Sequence, residues 1–266
     1  MAQLKTLTLT EYPDTTKVSL LYKHASIHVH QRGQLKNYSD SVKDGSVEIE
    51  YSMVGDYGRY YPKNTRVMSC TTMSARARSS LFSETNYDID MRSAHWTILL
   101  DLIKDQHCYS CKYIKMVIDN TGKFINAIDI SDIAIERYNF KESKHYSKKD
   151  FVKSLLIILL YGGGLTTWET EFGFDKADYS ILDEQIINGL EKEIKTAHDI
   201  LNLDFRFKEI IDYAKEHHGK DYRSSHGTSM ILQDFERLIV EEYMEILKSK
   251  GAEITSYCYD GLTILK

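Results

Sequence analysis

Three acids and one lysine-bearing segment are the parts of this chain best suited to chemistry. Asp88 and Asp90 alternate within Tyr87-Asp-Ile-Asp90, so in a strand their carboxylates share one face. Asp260 precedes Gly261 between two alternating runs, and Asp-Gly in that setting signals a tight hairpin. After Ser147, Lys149 and Lys153 are four residues apart and Tyr161 lies eight beyond Lys153, so a helix brings two ammonium groups and one ring near a single face. Carboxylates on rigid elements suit hard divalent cations. Two such ions roughly 3.5–4 Å apart stabilise both the attacking and the leaving oxygen of an in-line displacement. Cations along a helix face position a triphosphate, and positioning with electrostatics supplies most of the rate in phosphoryl chemistry. Together the set could drive attack of a 3′-oxygen on an α-phosphorus. Taken singly, each member has a bland account: a solvated strand end, a turn, an exposed helix face.

The elements that must hold these groups read as an α+β chain with a few mostly antiparallel strands under several helices. Strand-like runs cover Val18–Tyr22, Ser26–His30 and Val47–Ser52, and a helix is expected over Ser74–Phe82. A short strand, Tyr87–Asp90, runs into an apolar helix from about Ser93 to Lys104. Residues 113–135 are ambiguous, with Asn120-Thr-Gly122 reading as a hairpin turn. Ser147 caps a helix over Lys148–Tyr161 that Gly162-Gly163-Gly164 ends. Amphipathic helices follow over Asp178–Leu201 and Asp204–Glu216, then a long one over Thr228–Lys250 that stops at Gly251. Glu253–Tyr259 and Leu262–Lys266 flank the Asp260-Gly261 turn.

In that order the motifs resemble the palm-and-fingers core of the family A DNA polymerases and the phage-type single-subunit RNA polymerases. Gly58-Arg59-Tyr60-Tyr61 looks like the T/DxxGR element that grips the duplex backbone, although Gly55 stands where the family has Asp or Thr and Asp56 comes one later. Tyr87-Asp-Ile-Asp90-Met-Arg-Ser93-Ala-His95 is similar to motif A. Its Asp90-x-x-Ser93 spacing also resembles the D-x-x-S-L-Y-P of family B polymerases and favours Asp90 over Asp88 as the metal ligand. Lys149-x3-Lys153-x7-Tyr161-Gly162 is similar to motif B, with Lys149 replacing the usual Arg and giving up its bidentate fork. Ser256-Tyr-Cys-Tyr-Asp260-Gly looks like motif C, with Tyr259 where His is usual. His226-Gly227-Thr228 resembles a Gln-Gly-Thr that faces the template. The matches span roughly residues 54–261.

The resemblance implies a right-hand polymerase fold: a small antiparallel palm sheet, a helical fingers region and a thumb reduced or absent, since only about 55 residues precede the GR motif. It divides the chain into an N-terminal β-rich segment (1–55), a first palm part (56–135), fingers (136–225) and a second palm part (226–266). It implies that Asp90 and Asp260 bind two Mg²⁺ ions, with Mn²⁺ a substitute and Asp88 open between auxiliary ligand and structural neighbour. Lys149, Lys153, Ile157, Tyr161, Gly162 and His95 would meet the nucleoside triphosphate, Lys153 with a catalytic role. Arg59, Arg76, Arg78, His226, Thr228 and Tyr259 would meet the DNA template or template–primer duplex. The residue five after the motif A Asp selects the sugar in these families, and the bulk of His95 points to deoxynucleotides. Ile157, where DNA enzymes often carry an aromatic residue, and Arg59-Tyr60-Tyr61 point instead towards an RNA polymerase or primase. A second subunit or processivity factor is an expected partner of so small a core, which has no room for a proofreading nuclease. Phage, viral or mobile-element replication is the setting that the resemblance suggests.

Composition sets the outer bounds. The chain has 266 residues, 42% hydrophobic and 27% charged, with two prolines and 19 tyrosines, the profile of an ordinary globular protein. Net charge is -5, but residues 1–82 carry 11 Lys/Arg against 7 Asp/Glu, and basic runs fall over Arg59–Arg78 and Lys141–Lys153. The opening MAQLKTLTLTEYPD has acids and no apolar core, so neither a secretory nor a transit peptide is expected. The longest apolar run, Leu155–Tyr161, is too short to span a bilayer. A cytoplasmic protein is expected, in the host cell if viral, with no membrane partner. His107-Cys108-x2-Cys111 lacks the second ligand pair that a structural zinc site needs. Cys70 and Cys258 are isolated in sequence, and His24, His28 and His30 read as a half-buried polar strand. No P-loop, Rossmann fingerprint or Ser-His-Asp arrangement occurs, and a paired-carboxylate nuclease or a non-catalytic palm remnant are the competing classes.

Overall fold

A computed structural model of the chain describes residues 6–24, 29–104, 111–142 and 145–266. In chain order the elements are β1 (Thr6–Glu11), α1 (Thr15–Leu21), α2 (Val29–Ser41), β2 (Val47–Met53), β3 (Tyr60–Pro62), α3 (Ala75–Phe82), β4 (Asn86–Asp90) and α4 (Ala94–Ile103). There follow α5 (Lys112–Ala127), β5 (Ile128–Ile130), α6 (Asp132–Glu142), α7 (Lys148–Leu160), α8 (Leu165–Phe172) and β6 (Tyr179–Ile181). The chain closes with α9 (Glu184–Leu203), α10 (Lys208–His218), α11 (Ser224–Ser249), β7 (Ile254–Tyr257) and β8 (Gly261–Leu265). The fold is α+β with small antiparallel sheets, ordered β1-β2-β3, β4-β8-β7 and β5-β6. No helix among the described residues is long and apolar enough to cross a membrane.

Two compact units divide the chain, one of residues 1–91 with 233–266 and one of residues 92–232. The cuts differ from the motif-based boundaries at 55, 135 and 225. The N-terminal segment and β3 share a core with the last helix and strands: Leu9, Val18, Leu35, Tyr51 and Tyr60 are buried in one cluster with Val240, Tyr257 and Leu262. Alternation makes that core, because Val47, Ile49 and Tyr51 of β2 turn inward while Glu48 and Glu50 turn out.

One expected strand, Val18–Tyr22, falls largely in a helix, and the described end of another, Val29–His30, also lies in a helix. Asp14 caps α1 by accepting from the Lys17 amide at 3.0 Å, and only Val18 of that helix is buried. The cap overrides the β-leaning Val18–Tyr22 run because it satisfies a helix-end donor that a strand would not create. Val29 and His30 open α2, which buries Leu35 and Tyr38 three residues apart; residues 25–28 lie outside the described residues.

In the second unit, Asn120 does not make a hairpin turn. It kinks α5 (φ -150°, ψ 67°) while the helix continues, because Ile114, Val117, Phe124 and Ala127 keep a buried stripe across the kink. The packing of α5 on α9 is close, as a Cβ at Gly189 would collide with the Tyr113 ring. Residues 179–181 are strand β6, paired with β5, and α9 starts only after Asp183, whose carboxylate accepts from Ile186 N at 3.2 Å.

Helix α7 forms as its sequence dictates. The Asp150 carboxylate accepts from the Ser147 amide at 2.8 Å, closing a capping box. Phe151, Val152, Leu155, Leu156, Leu159 and Leu160 are buried, and Lys149, Lys153 and Ile157 occupy the opposite, exposed face.

Candidate active site

The β4-β8-β7 sheet carries the acids. Asp90 pairs with Gly261 and Asp88 with Thr263 across β4 and β8, so both acids sit on the strand beside the last hairpin. That hairpin closes through Cys258 N donating to Gly261 O at 2.9 Å, and Met91 N donates to Asp260 O at 2.9 Å. Gly261 is required by contact, because a Cβ there would collide with Asp90 Oδ1 and the Ile89 carbonyl oxygen. The Asp90 carboxylate therefore lies against the residue that follows Asp260. Tyr259 occupies the left-handed region (φ 57°), which turns the chain so that Asp260 can follow.

Negative charge is concentrated here. Burial first, and then the Glu236 and Asp90 carboxylates, push the Asp260 carboxyl above the usual range, while Arg59 opposes them. Asp88 is raised by burial and by Asp90, with Arg78 opposing at an Nε–Oδ2 distance of 3.7 Å. Such a site favours a bound cation. Among the described residues no group of three or more His, Cys, Asp or Glu is disposed to hold a metal. Two carboxylates with water and phosphate oxygens completing the shell are the donor set that Mg²⁺ commonly takes.

Around this pair lies a group that sequence reasoning missed. Glu236 of α11 is 1% exposed and binds Arg59 in a bidentate pair, with Nη2–Oε1 at 2.8 Å. The Arg59 guanidinium stands 5.1 Å from the Tyr259 ring centroid, and Tyr61 meets Tyr259 edge-on at 5.9 Å. Asp234 accepts from Gly58 N at 3.1 Å, while the buried Arg237 donates to Gly58 O and bonds Asp234 and Glu241. The Gly58-Arg59 element is thus fixed at backbone and side chain by three charged residues of one helix, Asp234, Glu236 and Arg237, the last braced by Glu241. Their spacing was the available signal: 234, 237 and 241 fall on one helical face, the face that buries Val240 and Met244.

The second unit gathers another set. On α7, Lys149, Lys153 and Ile157 form an exposed stripe, with Tyr161 at its C-terminal end. Neither lysine has an ion-pair partner among the described residues. His95, buried in α4, bonds Tyr161 through Nδ1 and meets its ring edge-on at 5.8 Å. Gly162 has φ 76°, and a Cβ there would lie 2.9 Å from Ser225 Cβ, so only glycine lets α7 end against the start of α11. His226 stacks on His218 with ring centroids 4.0 Å apart. Thr228, expected to touch nucleic acid, is fully buried and accepts from Asn202 Nδ2 at 3.3 Å. That hydrogen bond joins α9 to α11.

Arg76 is exposed on α3 and Asp56 is exposed before the Gly58 turn. Cys70 and Cys258, isolated in sequence, meet in space with sulfurs 3.9 Å apart, both buried as free thiols. Cys111 is a buried thiol at the start of α5. His28, His107 and Cys108 lie outside the described residues. His30 lies in the first turn of α2 rather than in a strand. No family model matches the sequence, and no curated protein is significantly similar to it; function has to be read from these residues.

Proposed function

We propose that this chain is a template-directed nucleic-acid polymerase that adds nucleotides to a 3′ end, with deoxynucleotides its preferred substrates. The observation that carries the reading is the packing of the Asp90 carboxylate against Gly261, beside Asp260 in the hairpin turn. Two acids from separate chain regions, one with its carboxyl raised by burial and then by like charge, are what a pair of Mg²⁺ ions needs. Asp90 and Asp260 would hold these ions, or Mn²⁺ in their place, which when bound stabilise charge on the oxygens around the α-phosphorus. Lys149 and Lys153 fit the triphosphate, being exposed cations four residues apart. The His95–Tyr161 contact supports a wall on the sugar side, and bulk at His95 would exclude a ribose 2′-hydroxyl. Arg59, held by Glu236 and stacked on Tyr259, suits a phosphate of the template–primer duplex. The right-hand arrangement with a reduced thumb, and a second subunit or processivity factor that supplies duplex grip, belong to the same proposal.

The test is one incubation of primer–template, Mg²⁺ and each of the eight nucleoside triphosphates. Extension by deoxynucleotides, lost in Asp90→Ala and in Asp260→Ala with the fold intact, is the expected result. Extension by either variant at near the wild-type rate would refute the assignment. Primer shortening would mark a nuclease, and no change with any triphosphate a non-catalytic binder.

A further inference from the structure

The sheet that carries Asp90 has a free side. In the order β4-β8-β7, β4 is an edge strand, and no described strand pairs with its outer edge. A cavity of about 290 Å³ lies there, near the lower end of the size range for small-ligand pockets. Both Tyr87 and Asp88 line it. Neighbours in a strand point to opposite faces, so a cavity reached by both, and by Asn86 and Thr263, covers the Asp88 face and wraps round the strand edge.

The lining is selective in chemistry. Arg78 from α3 lines the cavity with its side chain 25% exposed, and it lies within electrostatic reach of both Asp88 and Asp90. Its ion pair with Asp88 is loose at 3.7 Å and leaves donor capacity on the guanidinium. Lys266 adds a second cation, with Nζ 5.2 Å from the Tyr87 ring centroid and donating to Ser83 O at 2.6 Å. Tyr87 is 57% exposed, a large aromatic ring kept at the surface. Ser79 brings a helix hydroxyl. Cations beside an exposed ring are the two components of single-strand recognition, one for phosphate and one for a base.

We propose that this edge cavity is a subsite for one nucleic-acid strand, with Arg78 taking a backbone phosphate and Tyr87 stacking a base. Asp88 and Asp90 are two residues apart in β4, about 6.6 Å along a strand. A phosphate on Arg78 therefore lies next to the acids, and the subsite guides a strand to or from the reacting end. This rests on the polymerase reading for its purpose, though not for its binding chemistry. A free phosphate or pyrophosphate shares that chemistry with the strand. The exposed ring favours the strand, because a small anion makes no use of it.

The experiment is fluorescence anisotropy of a short labelled single-stranded DNA with the full chain, without nucleotides or Mg²⁺, over a range of salt. Arg78→Gln should weaken binding and lower the slope of log K against log salt by about 0.7, the value for one phosphate contact on a single strand. Arg78→Lys should restore that slope, and Tyr87→Ala should weaken binding at least about fivefold with the slope unchanged. Circular dichroism checks that each variant is folded. An unchanged slope in folded Arg78→Gln overturns the proposal. So does pyrophosphate binding that depends on Arg78 while DNA binding does not, since the site would then serve a small anion. Arg78-dependent DNA binding by a chain that extends no primer would sink the polymerase reading alone.

Discussion

His95 and Glu236 mark the two ends of what single residues disclose. The distance of His95 from Asp90 suggests a role by resemblance alone, and its contact with Tyr161 ties the start of α4 to the end of α7. His95→Gly should therefore increase ribonucleotide use relative to deoxynucleotide use, read as the ratio of the two kcat/KM values. Unchanged discrimination would remove His95 from sugar selection. Glu236 was illegible for a physical reason. A glutamate in a long helix reads as a solvated charge, and only the fold shows it almost fully buried against Arg59. Its charge helps to raise the Asp260 carboxyl. Glu236→Gln removes that charge, so Asp260 should ionise at lower pH, and the acid limb of the Mg²⁺-dependent pH–rate profile should move down. The same change loosens Arg59, at a stability cost of about 1–3 kcal/mol seen in thermal unfolding. An acid limb that stays in place while stability falls would leave Glu236 a purely structural partner of Arg59.

Elements were legible where a local signal fixes their ends. Ser74 and Ser147 cap α3 and α7, and Gly162 and Gly251 stand just beyond the ends of α7 and α11 with φ of 76° and 83°. These are short-range effects, decided within one turn of helix. Misreadings came where tertiary packing outweighed residue preference. The Val18–Tyr22 run has β-leaning side chains but a helix cap before it, and Asn120-Thr-Gly122 carries turn residues within a buried helical stripe. The last hairpin is the element on which the site depends, and Gly261 sets its closeness to β4. The constraint is steric rather than conformational, since Ile89 O and Asp90 Oδ1 fill the space that a Cβ would take. Gly261→Ala should open the β4–β8 ladder at Asp90, lowering stability by roughly 1–3 kcal/mol, the usual cost of overpacking. Primer extension should fall far more than stability does, because a small displacement of a catalytic group can cost about a hundredfold in rate. Wild-type extension by this variant would mean that Asp90 need not lie against the turn.

At the scale of the whole molecule, sequence order and spatial order part company. The first compact unit joins residues 1–91 to 233–266, and no local pattern announces that Leu9 and Tyr257 share a core. Such pairings depend on sequence separations that periodicity does not sense. The least legible residue is Glu11, which ends β1 with its carboxyl fully buried. It accepts from Tyr38 Oη at 2.8 Å, Ser256 Oγ at 2.9 Å, Cys70 N at 2.9 Å and Tyr51 Oη at 3.4 Å, and so links β1, α2, β2 and β7. Burial outweighs these four donors and raises its carboxyl to about 7. The folded value exceeds the unfolded one, so the folded state binds the proton more tightly. Stability from this group is then complete below pH about 4.5 and is lost as pH rises towards about 7. The full loss is on the order of 3 kcal/mol, an upper figure for one group. Glu11→Gln keeps the size and an acceptor oxygen and cannot ionise, so its denaturant midpoint should vary less between pH 5 and pH 8 than that of the wild type, with the difference favouring the variant at the alkaline end. Parallel pH curves for the two proteins would show that Glu11 does not titrate in this range, and that its four donors hold it ionised within the core.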